Sequence, residues 1–316
     1  MRILVTGARG KVGAATVATL VDAGHAVTAT DLGRPRFEAD RGAVPYRQAD
    51  LTHAGDAFAL VRGHDAVVHA AAIPDPEHHP AHVVFANNLT AAFNVIEAAV
   101  RWGVPRVVNL SSETVPGFAF AERRFLPDYV PVDEEHPVRP QDPYALAKHF
   151  GEQLMDAATR RSDLTGVSLR PSWVQWEGNV EANLGPWLRE PEPSEGFWAY
   201  IDVYDLADAI RLAAEAGTPG HEVVYIASPD LAAHEPLATL ARRFHGNAAP
   251  ELRGDTGISI AKARALLGYA PSRSWRDYLD DDGRLRPAVR ERVERGETVL
   301  QRGLRLTGAT GPPGGA

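Results

Sequence analysis

A short apolar run, Ile3-Leu4-Val5-Thr6, ends in three glycines at intervals of three, Gly7, Gly10 and Gly13. Val12, Thr16, Val17 and Leu20 then recur with helical spacing over residues 11–23. A buried strand must therefore pass through a tight turn directly into a helix. Gly7 permits the turn, Gly10 lets the backbone come close to a bound group, and Gly13 lets the helix pack against the strand. The helix start offers free N–H groups and the positive end of a dipole, which together suit a pyrophosphate.

The same alternation continues. Residues 26–31, 66–69, 106–110, 165–170 and 222–227 read as strands, and residues 80–101 and 143–161 as long helices. Strands separated by helices predict an α/β fold of the Rossmann type: a doubly wound parallel sheet with right-handed crossovers. Residues 1–170 form the dinucleotide-binding domain, with a strand and helix returning at about 200–227. Residues 171–199, rich in Trp, Pro, Glu and Gly, and residues 228–300 read as a small C-terminal substrate-binding cap. Thr307 to Ala316 contains only Thr, Gly, Ala and Pro and reads as a disordered tail.

Composition narrows the function. The net charge is −8 and no basic stripe is visible, which argues against nucleic acid and anionic membranes as partners. With no cysteine, thiolate metal sites and a cysteine nucleophile are excluded. The opening apolar run is too short for a signal-peptide core. No apolar run approaches the roughly 20 residues that span a bilayer, and a soluble cytoplasmic protein is expected.

Asp31 stands at the end of the second strand, 18 residues after Gly13. A carboxylate there accepts the adenosine ribose hydroxyls and repels a 2′-phosphate, favouring NAD over NADP. Arg9 and Lys11 in the loop argue the other way, and read more simply as solvent-exposed loop charges. Further on, Tyr144 and Lys148 lie four residues apart at the start of a helix, on one face. Lys148 is expected to lower the Tyr144 pKa, so that Tyr144 takes the proton of an alcohol while hydride leaves the same carbon. Ser111 and Ser112, with Glu113 and Thr114, follow strand 106–110 about 30 residues earlier. A hydroxyl there can hold the substrate oxygen.

In this order the motifs resemble the NAD-dependent epimerase/dehydratase family, the extended short-chain dehydrogenases/reductases, over roughly residues 1–280. The resemblance also rests on Asp50-Leu51, His69 to Ala72, Asn88, Leu169-Arg170-Pro171 and Tyr200 to Ala207. It implies that Asp50 and Leu51 flank the adenine, that Ala70, Ala71 and Ala72 line the cofactor groove, and that Asn88 and Pro171 belong to the cofactor site with Gly7, Arg9, Gly10, Lys11, Val12, Gly13 and Asp31. It makes Ser112, Tyr144 and Lys148 the catalytic set, with Tyr144 and Lys148 also counted among the cofactor-binding residues. It also implies a homodimer paired through the two long helices. Dehydratases of the family carry an acid where this chain has Thr114, so dehydration is not expected. Trp173 replaces the Asn found in nucleotide-sugar epimerases, and only 29 residues separate Arg170 from Tyr200. So short a segment favours a smaller substrate, as in the similar uronate dehydrogenases, although those have Asn-His in place of Glu113-Thr114.

Four of six tryptophans, Trp173, Trp176, Trp187 and Trp198, fall in this segment and could stack on a sugar. Trp173 and Trp176 join Ser111, Ser112, Glu113 and Thr114 as substrate candidates. Glu113 is read equally as an acid or hydroxyl-binding group and as a loop acid facing water. Arg123 and Arg124 could clamp an anion, but read more simply as a solvated loop face. His78 and His82 have metal-ligand spacing beside His79, without an accompanying carboxylate signature, so no metal is expected. The sequence thus predicts an NAD-dependent sugar or sugar-acid dehydrogenase. A nucleotide-sugar 4-epimerase with the same residues is the alternative, and a dinucleotide sensor without turnover the third reading.

Overall fold

The computed structural model describes residues 1–34 and 44–309. Seven strands form its central sheet: β1 (Arg2–Thr6), β2 (Ala26–Asp31), β3 (Tyr46–Gln48), β4 (Ala66–His69), β5 (Arg106–Leu110), β6 (Thr165–Pro171) and β7 (His221–Ile226). Their spatial order is β7-β6-β5-β4-β1-β2-β3. All six pairings are parallel, with Val5 opposite Ala29 on one side and Val68 on the other. Chain order reverses between β1 and β4, and the crevice at the carboxyl ends of these strands is where an open α/β sheet binds its ligand.

The helices are α1 (Lys11–Asp22), α2 (Ala54–Val61), α3 (Ala81–Trp102), α4 (Pro143–Arg160), α5 (Val203–Glu215), α6 (Leu237–His245), α7 (Ala261–Leu267), α8 (Pro287–Glu294) and α9 (Val299–Leu306), with two one-turn helices at Val180–Asn183 and Gly185–Arg189. Successive strand residues face opposite ways. Leu4, Val67 and Val107 pack under α2, α3 and α4, while Ile3, Val5, Val68 and Val108 pack under α1 and α5. Both faces are covered, which is why the strands read as continuous apolar runs. A separate apolar cluster, including Leu184, Phe197, Trp198, Leu240 and Trp275, is built largely from segments beyond β6. Its tryptophans Trp198 and Trp275 serve packing.

Three differences from the sequence reading concern the edges of the fold. Strand β3 and helix α2 were not foreseen; β3 has only three residues, too few to show a period. Residues 171–199 hold the two short helices, and Val174–Gln175 forms a small parallel ladder with Ile201–Asp202. The sequence predicts a disordered tail from Thr307, whereas Thr307 to Ala309 pack on the fold. Thr307 is buried, and its hydroxyl closes α9 by donating to the Leu304 carbonyl. Residues 310–316 lie outside the described residues.

Helix α9 lies so close on α1 that a Cβ on Gly303 would sit 1.8 Å from the Ala14 carbonyl oxygen. Helix α3 is long and apolar enough to cross a membrane by length and composition alone, which the sequence reading overlooked. Here it packs beside α2 and α4, with Val84, Ala91, Val95, Ile96 and Ala99 buried.

Candidate active site

The turn after β1 has the geometry its glycines suggest. Gly7 has φ +63°, and a Cβ there would lie 2.8 Å from the Ala71 backbone. A Cβ on Gly13 would lie 2.0 Å from the Gly7 carbonyl oxygen, so helix and turn touch. Around Gly10 the nearest atom is the Gly7 oxygen at 3.3 Å. No side chain caps the N-terminus of α1 at Gly10. The room and the uncapped first turn, beginning with Lys11, Val12 and Gly13, fit a pyrophosphate.

Asp31 ends β2 with its carboxylate fixed by the backbone N–H groups of Arg9 and Leu32, both at 2.8 Å. Arg9 is not a loose loop charge: its guanidinium donates to the carbonyls of Gly33, Arg34 and Thr307 and lies 3.6 Å from the Tyr46 ring centroid. Lys11 is half-buried, and burial lowers its pKa while Asp75 opposes the shift. Asp50 accepts from the N–H and hydroxyl of Thr52, and Leu51 is buried with its carbonyl held by Asn94. Ala70 and Ala71 donate their N–H groups to the Thr6 hydroxyl, which fixes the strand exit facing Gly7; Ala72 follows. The Asn88 amide is spent on both backbone groups of Ile73, so it holds the loop 70–73 in place.

Helix α4 begins with Asp142 accepting from the Ala145 N–H and Pro143 in the first turn. Tyr144 and Lys148 thus project from its first two turns toward the end of β5. Lys148 Nζ donates to the Leu110 carbonyl at 2.5 Å and lies 5.5 Å from the Tyr144 ring centroid. Burial pushes Lys148 down to about 8 against the pull of Glu152. Burial also pushes Tyr144 up to about 12, while a hydrogen bond with Ser112 pulls it down. The expected lowering by Lys148 is not found here: burial dominates, and Asp142, Asp75 and Glu113 add to the rise. Ser112 Oγ receives both the N–H and the hydroxyl of Thr114, at 3.2 and 3.1 Å. Its own proton is left for Tyr144 or a substrate oxygen.

The two serines divide. Ser111, expected at the substrate, donates instead to Glu152 Oε1 at 2.5 Å. Glu152 also binds Arg170 through both oxygens, at 2.8 and 2.7 Å, and both partners are almost fully buried. Burial alone would raise Glu152, but Arg170, His149 and Ser111 bring it down to about 2. This pair locks α4 to β6 behind the site. Sequence reading missed Glu152; its place four residues after Lys148, on the same helix face, was the available signal.

Glu113 is the anomaly. One carboxylate oxygen, Oε2, is sealed from solvent without a hydrogen-bond partner. Burial pushes the group up to about 8, against the Trp173 N–H. Burial therefore favours its protonated form. Because its folded pKa lies above its ordinary 4.5, the proton stabilises the fold fully below pH 4.5, and that stability is lost as pH rises toward 8. Denaturant unfolding should show wild type losing about 2 kcal/mol between pH 6 and 8 relative to Glu113→Gln. Parallel pH profiles for the two proteins would show that Glu113 is ionised in the fold.

The tryptophans also divide. Trp173 is partly exposed and lies 5.1 Å, ring to ring, from Trp187. Trp176, expected at the substrate, packs instead with Ala14, Tyr204, Leu300 and Leu304 between α1, α5 and α9. Pro171 ends β6, and its carbonyl accepts from the Glu113 N–H at 3.0 Å. Arg123 is exposed, and Arg124, 84% exposed, makes a loose 3.7 Å pair with Glu195. His78 pairs with Asp75 at 2.8 Å, and His79 and His82 are exposed.

The chain is similar to several known proteins. A UDP-glucose 4-epimerase of Azospirillum brasilense is 34% identical over 175 residues, 54% of this chain, and the match spans about half (48%) of that protein. A uronate dehydrogenase of Pseudomonas syringae pv. tomato is 27% identical, covering 71% of this chain and 73% of its own length. An L-arabinose 1-dehydrogenase (NAD(P)(+)) of Haloferax volcanii is 31% identical, covering 69% and 84%. Among solved structures, a mutated uronate dehydrogenase superposes with a TM-score of 0.61 at 25% identity, covering 93% of this chain and 86% of that one. A short-chain dehydrogenase/reductase superfamily protein from Agrobacterium tumefaciens with bound NAD shares the fold at 24% identity and TM-score 0.68, covering 93% and 98%. The model of the NAD dependent epimerase/dehydratase family matches residues 3–183, a span that runs through the glycine turn, Asp31, Ser112, Tyr144 and Lys148. The chain belongs to that family, the extended short-chain dehydrogenases/reductases, and NAD is the cofactor its turn and its Asp31 fit.

Proposed function

We propose that this protein is an NAD-dependent dehydrogenase that oxidises a carbinol of a free sugar or sugar acid. The observation that carries the reading is Tyr144 beside Lys148 on the first turns of α4, facing a Ser112 hydroxyl whose oxygen is held by Thr114, at the carboxyl end of β5. In this reading Ser112 and Tyr144 bind the substrate hydroxyl, Ser112 donating to its oxygen and Tyr144 taking its proton. As the substrate proton arrives, the phenolic proton of Tyr144 leaves to solvent; the Lys148 ammonium steadies the negative charge that develops on Tyr144 and holds the ribose. Bound NAD supplies the hydride acceptor. Trp173 offers a partly exposed aromatic face to the sugar ring. Neutral Glu113 offers a second donor to a sugar hydroxyl, where a carboxylate could only accept.

The short segment between β6 and residue 200 favours a free sugar over a nucleotide sugar. Two of the relatives are named as dehydrogenases of a uronate and of L-arabinose. The epimerase reading keeps a specific footing as well, since another relative is named a UDP-glucose 4-epimerase. The purified protein should be screened with NAD against aldoses, uronic acids and nucleotide sugars, following NADH absorbance and product identity. Net NADH with a free sugar or sugar acid is the expected result. A sugar stereoisomer without net NADH would replace the dehydrogenase by the epimerase.

A homodimer through α3 and α4 is part of the same proposal. Phe93 and Phe150 are 49% and 41% exposed on these helices, and Phe85 meets Phe150 edge-on. Sedimentation should give twice the monomer mass, and Phe93→Glu with Phe150→Glu should return a folded monomer. An unaltered mass would place the interface elsewhere.

A further inference from the structure

The Arg9 guanidinium is tied to the far end of the chain. Its Nη2 donates to the Thr307 carbonyl at 2.7 Å, across 298 residues of sequence. Its Nη1 serves the carbonyls of Gly33 and Arg34 at 3.3 and 2.9 Å, just past the end of β2. The same residue's N–H binds the Asp31 carboxylate, and the Tyr46 ring carries the guanidinium on its face at 3.6 Å. Tyr46 is itself held there, its hydroxyl donating to the Gly33 carbonyl at 2.5 Å. Arg9 is thus a cation in the corner where Asp31 would meet the adenosine ribose, and both of its terminal nitrogens donate to main-chain oxygens.

We propose that the C-terminal segment acts as a cofactor-specificity device by holding Arg9. A guanidinium in this corner is the natural partner of a 2′-phosphate, because its forked donors match phosphate oxygens. The Thr307 carbonyl, with those of Gly33 and Arg34, occupies that fork. Asp31 then faces the ribose with the Arg9 guanidinium withheld from it, and NAD is favoured. Thr307 is a positioning residue in this account, and α9 sets where it lies. Helix α9 is fixed by Leu300 and Leu304 in the packing against α1 and by the contact of Gly303 with Ala14. The inference rests on the assignment of NAD as cofactor.

The test is the ratio of dissociation constants for NADP and NAD, measured by titration calorimetry on the full chain. A purely structural change would weaken both cofactors alike and leave the ratio unmoved. Gly303→Ala places a methyl 1.8 Å from the Ala14 oxygen, so α9 must shift and carry Thr307 with it. The ratio should fall about tenfold, the effect of one freed charge-assisted contact to phosphate. Arg9→Ala alone should leave the ratio within about twofold of wild type, because the guanidinium gives NADP nothing in the intact protein. In the Arg9→Ala background, Gly303→Ala should no longer change it.

Should Gly303→Ala not fold, Arg9→Lys serves instead. One compact ammonium cannot hold three carbonyls, and the ratio should fall with the α9 packing intact. A ratio unmoved in folded Gly303→Ala, or in Arg9→Lys where that variant stands in, overturns the inference. So does a ratio raised more than about fivefold by Arg9→Ala, which would mean that Arg9 already serves the 2′-phosphate. A protein that binds neither dinucleotide overturns the NAD assignment and this inference with it.

Discussion

Replacing Tyr144 with Phe is expected to lower kcat by a factor of about 10²–10⁴ while NAD still binds. The substitution removes one oxygen and keeps the ring that fills the same space. Two features of the site make the loss specific to chemistry. The Ser112 hydroxyl, its lone pairs occupied by Thr114, has its proton directed at Tyr144 or the substrate. Lys148 keeps its ammonium on the Leu110 carbonyl, next to the ring. Neither arrangement needs the Tyr144 oxygen to stay in place. Burial holds the phenol at about 12, so Tyr144 enters the reaction as a hydroxyl that relays a proton and not as a standing phenolate. Loss of NAD affinity in the same proportion as kcat would instead make Tyr144 a binding residue.

Replacing Glu152 with Ala should cost roughly 3–5 kcal/mol of unfolding free energy, because it leaves Arg170 charged and buried without its partner. The cost falls on the support of the site. Glu152 ties Arg170 of β6 and Ser111 of the β5 exit to α4, the helix that carries Tyr144 and Lys148. Its carboxyl is held at about 2 against an ordinary 4.5, so this stabilisation is complete above pH 4.5 and is lost as pH falls toward 2. Denaturant unfolding at pH 7 measures the loss. A change below about 1 kcal/mol would mean that Arg170 finds water or another acceptor when Glu152 is gone.

The site was unevenly legible in the sequence, for reasons that particular residues show. Gly7, Gly10, Gly13 and Asp31 could be placed because their contacts are local or lie on neighbouring strands, and because backbone conformation dictates glycine directly. Tyr144 and Lys148 share a helix face by spacing alone. Ser111 and Ser112 could not be told apart. Adjacent residues leaving a strand point to opposite sides, and which side is the site depends on Glu152 and Arg170, which arrive from other elements. Trp176 and Trp173 are both aromatic residues in one segment, yet Trp176 is claimed by the C-terminal helix, which no local pattern announces. The Arg9–Thr307 contact and the state of Glu113 likewise depend on how distant segments close over them.

The reading stands or falls on where the substrate hydride goes. The direct measurement uses the sugar identified in the screen, deuterated at the carbinol carbon, with NAD in excess, and follows both products by NMR. The account predicts one deuterium on the nicotinamide ring of each NADH formed, an oxidised sugar product, and loss of both in Tyr144→Phe. Deuterium retained on the sugar, with its configuration inverted and the cofactor recovered as NAD, would contradict net dehydrogenation.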